Sequence, residues 1–119
     1  MAFKIGIEDL VANALIENLK TDATKKFVSY SEIESYGAKV VKFLTDENNE
    51  AILIFSRANT NQMLRDYSDF FEETDNEGNL GIQLKEGATI DKLILTFRGY
   101  LTLTLLKAFI NSYKKEDFN

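Results

Sequence analysis

The chain has 119 residues, a net charge of −5 and an apolar fraction of 45%, with no cysteine, histidine or proline. That composition excludes disulfide scaffolds, zinc fingers and any Cys or His nucleophile, and it is too apolar for a fully disordered chain. The acidic balance makes phosphate backbones and anionic membrane surfaces poor partners.

A chain of this length buries roughly 65% of its unfolded surface, enough for one core without staples, so a single domain over residues 1–119 is expected. The first residues, Met1, Ala2, Phe3 and Lys4, lead directly to the acids Glu8 and Asp9. They lack the basic start and unbroken apolar stretch of a signal peptide. The longest apolar run, residues 51–55, is far short of the ~20 residues of a membrane span. A cytoplasmic location is expected. Lysine outnumbers arginine eleven to three, and Asn and Ile are abundant; their AT-rich codons suggest a low-GC bacterium or its phage.

In chain order, residues 7–20 form an amphipathic helix, with Ile7, Leu10, Val11, Ala14 and Leu15 on one arc and Glu8 and Asp9 in the first turn. Residues 21–24 are a polar connector. Ser31, Glu32, Ile33 and Glu34 resemble a capped helical turn ended by Gly37. Residues 38–45 and 50–57 are β-rich runs flanking Asp46, Glu47, Asn48 and Asn49, the pattern of a β-hairpin. A continuous helix over residues 31–44 competes with that hairpin, and the hairpin is preferred.

Residues 60–73 read as a second amphipathic helix capped by Asn59 or Thr60. Met63, Leu64, Tyr67, Phe70 and Phe71 share one arc; Asp66, Asp69 and Glu73 share the opposite one. Residues 75–79 are a turn. Leu80, Ile82 and Leu84 then alternate as a half-buried strand. Residues 88–97 fit a strand or a helix. Residues 101–105 alternate like a strand, and a last helix runs to about residue 115. The fold class expected is α+β: a small antiparallel sheet packed with about three to four helices.

The most distinctive stretch holds Asp66, Asp69, Glu72, Glu73, Asp75 and Glu77 without a single base. Carboxylates spaced along a helix would imitate a phosphate strand and occupy the basic groove of a nucleic-acid-handling protein. The plainer reading is the wet face that any amphipathic helix needs. Asp75 as position one and Glu86 as position twelve faintly resemble a calcium loop, but the glycine at position six is missing, and a plain turn is preferred. No metal and no cofactor is expected.

An enzyme is not expected. General-base work would fall to Asp, Glu, Lys or Tyr, no acid pair is flanked by apolar neighbours that would raise a pKa, and there is no Gly-rich phosphate loop. The leading expectation is a non-catalytic protein-binding module. Its partner would be basic, with no direct nucleic-acid or membrane contact, and it would act as a small acidic inhibitor of the phage anti-defence or immunity type. The alternatives are a small-ligand domain at a homodimer interface, using Arg57, Arg98 and Tyr100, and a phage structural or assembly protein.

Overall fold

The computed structural model describes residues 2–46, 48–89 and 91–92. The expectations for residues 93–119, including Arg98, Tyr100, the strand at 101–105 and the last helix, lie outside the described residues. The fold is α+β: three helices, one antiparallel sheet of three strands and a separate parallel pair.

Strand β1 (Ala2–Gly6) runs straight into α1 (Ile7–Thr21). The start of α1 is held by Asp9, whose Oδ2 accepts from the Gly6 N–H at 3.2 Å. This satisfies one of the donors that a helix leaves open at its first turn. Residues 11–16 of α1 are buried without a break, so the middle of this helix is covered all round. It packs against α2 (Tyr30–Asp46), α3 (Arg57–Asp66), β1 and β2 (Phe27–Ser29). Its one fully buried polar side chain, Asn13, donates to the Asp9 carbonyl at 2.9 Å.

The hairpin expected over residues 38–57 does not form. Instead, α2 spans residues 30–46 as one helix, the competing arrangement. Its start is a reciprocal cap: Ser29 Oγ accepts from Glu32 N at 3.1 Å, while Glu32 Oε1 accepts from Ser29 Oγ at 3.1 Å. Gly37 does not end this helix. It lies buried within it, where an added Cβ would stand 3.1 Å from Leu10 Cδ1 and 3.3 Å from Leu53 Cδ1. The glycine is a contact point that lets α2 approach α1 and β3 closely. Ile33, Gly37, Val40 and Leu44 form the buried stripe, a helical spacing that the β-branched pair Val40 and Val41 disguises.

Asn48 and Asn49 stop α2 rather than turn a hairpin. Asn48 adopts a left-handed φ of 64°, and the Asn49 N–H donates to Leu44 O at 2.8 Å, the usual closure of a helix end. The chain then enters β3 (Glu50–Ile54), which pairs with β1 in parallel, Ile5 opposite Leu53. The inner face of this pair joins the core. The outer face carries Lys4, Ile52 and Ile54, with Ile52 52% exposed.

Ser56 caps α3, accepting from Asn59 N at 3.2 Å. The helix expected to reach residue 73 ends at Asp66. Tyr67 leaves the helical conformation, and its carbonyl accepts from both Phe70 N and Phe71 N at 3.0 Å. Strands β4 (Phe71–Asn76) and β5 (Asn79–Leu84) follow, joined by a two-residue turn in which Glu77 and Gly78 both have positive φ, 54° and 88°. Positive φ at both positions matches the natural twist of a hairpin. Strand order is β2-β5-β4, all antiparallel. The buried residues of helices and strands form a single hydrophobic cluster.

Candidate functional site

The six acids singled out in the sequence do not share a helix face. Asp66 closes α3, Asp69 lies in the turn after it, Glu72, Glu73 and Asp75 lie on β4, and Glu77 is in the hairpin turn. The helical spacing expected for Asp66, Asp69 and Glu73 is replaced by strand alternation, because Phe71 enters the core from β4 and not from a helix. The acids still form one strip of chain, from the end of α3 through a turn to β4 and its hairpin. It follows β4, an outer strand of its sheet among the described residues.

Alternation divides the strip. Glu73 and Asp75 share a face with buried Phe71, opposite Ile82 and Leu80 on β5; Glu72 points the other way, opposite Gln83. Glu73 is drawn into a network that joins separate elements. Arg57, the first residue of α3, donates from Nη1 to Glu73 Oε2 at 2.5 Å and from Nη2 to Oε1 at 2.9 Å. The Tyr30 hydroxyl, at the start of α2, donates to the same Oε2. One carboxylate thus ties α2, α3 and β4 together. The Arg57 hydrogen bonds hold the Glu73 carboxyl below the usual carboxylate range. Burial first, and the Glu73 carboxylate second, push the Tyr30 phenol well above its ordinary value.

The remaining acids have different surroundings. Asp66 accepts from Gln62 Nε2 at 2.7 Å, and Asp75 Oδ1 accepts from Gly78 N at 2.9 Å, holding the hairpin turn. Asp69, Glu72, Asp75 and Glu77 are exposed, and among the described residues none has a cationic partner within ion-pair distance. Of the two candidate sites read from the sequence, the structure joins one member of each: Arg57 and Glu73.

Two concave regions combine the candidate residues Arg57 and Asp66 with residues that the sequence reading did not name as site residues. An open groove of about 360 Å³ lies beside the Glu73 network, lined by Tyr30, Glu34, Phe55, Ser56, Arg57, Thr60 and Leu80. These residues come from two helices, a strand and a linker, so no local sequence signal could group them. A second cleft, also about 360 Å³, opens where β1 and β3 end and α1 and α3 begin; Lys4, Glu8, Asp9, Asn59, Gln62 and Asp66 supply its polar walls. Burial raises the Asp9 carboxyl above its usual value, with neighbouring Glu8 adding to the rise against the lowering Gly6 hydrogen bond.

Among the described residues, no group of acids is arranged to hold a metal ion, and no helix is long and apolar enough to cross a membrane. No protein family, curated protein or solved structure matches the chain significantly, so its functional reading rests on its own geometry.

Proposed function

We propose that this protein is a non-catalytic binding module of the cytoplasm that docks a basic protein partner along the acidic edge of its three-stranded sheet. The observation that carries this reading is the strip from Asp66 to Glu77. It follows an outer strand, and Asp69, Glu72, Asp75 and Glu77 have no cationic partner among the described residues. Uncompensated carboxylates on β4 and in the turns at its two ends create a negative field, which steers a basic partner and speeds its association. A small inhibitor of a nucleic-acid-handling enzyme, of the phage anti-defence or immunity type, works in this way. The acids would occupy the partner's phosphate-binding surface.

Acids on an outer strand also discourage strand-to-strand aggregation, and the experiment must separate that role from docking. Wild-type protein and an Asp69→Lys/Glu72→Lys/Glu77→Lys variant are used side by side to capture partners from cells of the source organism. The proposal expects a basic protein retained by wild type alone and released by moderate salt. The same proteins retained equally by both would contradict it. The small-ligand alternative is less favoured, because Glu73 already occupies one full edge of the Arg57 guanidinium.

A further inference from the structure

The groove beside the Glu73 network has a composition that the acidic strip alone does not explain. Its apolar surface comes from three residues set among the polar Glu34, Ser56, Arg57 and Thr60: Phe55 and Tyr30 are half-buried, and Leu80 is 46% exposed. Leu80 pairs with Asp75 across the hairpin, on the same face as Glu73 and buried Ile82. This face continues the core outward and ends in an uncovered leucine among the described residues. The rim is acidic. Glu34, one turn along α2 from Tyr30, is exposed with no ion pair among the described residues, as is Asp75; the charge of Arg57 is compensated by Glu73.

An apolar patch bordered by charge is the arrangement of an interface anchor site, in which one buried side chain carries much of the affinity and the charged border selects the partner. We infer that the groove between Tyr30, Phe55 and Leu80 receives one apolar side chain of the basic partner, while flanking Lys or Arg residues of that segment meet Glu34 and Asp75. The inference rests on the proposed function. It adds that the partner is recognised by a basic segment with a single large apolar residue, and not by charge alone.

The test uses two synthetic amidated peptides of alternating lysine and glycine, one with a central leucine and the other with a central alanine. Their affinities are measured at several salt concentrations for wild type, Leu80→Ser and Glu34→Lys, each first checked for native circular dichroism. The leucine peptide should bind wild type about tenfold tighter than the alanine peptide, the effect of burying the extra methylenes in part. Leu80→Ser should erase that difference and leave the alanine peptide unaffected, whereas Glu34→Lys should weaken both. Equal, salt-sensitive binding of the two peptides would overturn the groove and leave the acidic-edge reading standing. A leucine advantage that survives Leu80→Ser would likewise overturn the groove. Failure of both peptides to bind wild type would overturn the two readings together.

Discussion

Arg57 and Glu73, sixteen residues apart in the chain, meet as a two-point pair, Nη1 to Oε2 at 2.5 Å and Nη2 to Oε1 at 2.9 Å. The pair fastens the first residue of α3 to the middle of β4, and the Tyr30 hydroxyl adds α2 to the same carboxylate. Arg57 is more than half exposed, so solvent screens the attraction and the pair's main effect is to orient these elements. A coupling analysis of Arg57→Ala, Tyr30→Phe and their double variant should show non-additive stability effects, since both partners act through one acceptor. Additive effects would mean the contacts are independent.

The pH dependence of stability should contain two opposing contributions. Glu73 has a depressed carboxyl in the folded state. It stabilises above the unfolded carboxylate value of ~4.3, and the contribution disappears as pH falls through the lower folded value. Glu73→Gln should therefore flatten the acid side of the melting-temperature curve. Asp9 has the opposite sign. Its carboxyl is raised by burial, so stability is lost as pH rises from the unfolded value through the folded one. Asp9→Asn, which can still accept from the Gly6 N–H, should melt higher than wild type at pH 7 and level with it at pH 3. A variant less stable than wild type at pH 7 would show that the ionised carboxylate is favoured at the α1 terminus.

Core truncations should separate two phenylalanines of different burial. Phe71 is 2% exposed, whereas Phe55 is half-buried at the groove. Phe71→Ala should cost ~3–5 kcal/mol and Phe55→Ala about half of that, by denaturant unfolding. Equal losses would place Phe55 deeper than the structure has it.

Two glycines should respond very differently to one added methyl. At Gly81 a Cβ would stand 2.2 Å from Val28 O and 2.6 Å from Ser29 Cα, both backbone atoms of β2. Gly81→Ala should therefore cost about 3 kcal/mol or more, by forcing β2 away from β5. At Gly37 the neighbours are the ends of Leu10 and Leu53 side chains, which can shift. The gain in helix propensity, ~1 kcal/mol, should leave Gly37→Ala within about 1 kcal/mol of wild type. A reversed order would contradict the packing of β2 on β5.

Much of the architecture was legible because its signals are local. The apolar arc of α1, with Glu8 and Asp9 in its first turn, and the alternation of Leu80, Ile82 and Leu84 each report one element. The errors arose where one residue type serves two purposes. Asn48 and Asn49 tolerate the backbone of a hairpin turn and of a helix end alike, and here they end α2. Gly37 breaks an isolated helix, yet in α2 it makes room for Leu10 and Leu53. Residues 63–71 carry a helical apolar period that Tyr67 interrupts, since burying Phe71 from β4 outweighs another helical turn. The parallel strand β1 was missed because its partner β3 is 48 positions away, Ala2 facing Glu50. At the candidate site the acids were visible as a run without bases, whereas the meeting of Glu73 with Arg57 and Tyr30 is a tertiary fact with no sequence spacing of its own.

The most direct test of the docking account is the association rate of the captured partner with wild type and with the Asp69→Lys/Glu72→Lys/Glu77→Lys variant, measured across ionic strength. These three side chains are exposed and pair with no base among the described residues, so the variant should keep its stability within about 0.5 kcal/mol of wild type. The account predicts that wild type associates at least tenfold faster at low salt, that the advantage shrinks as salt rises, and that dissociation changes less than association. An unchanged association rate in the variant, with no salt dependence in wild type, would contradict it and leave the acids as a solvated, aggregation-resistant edge.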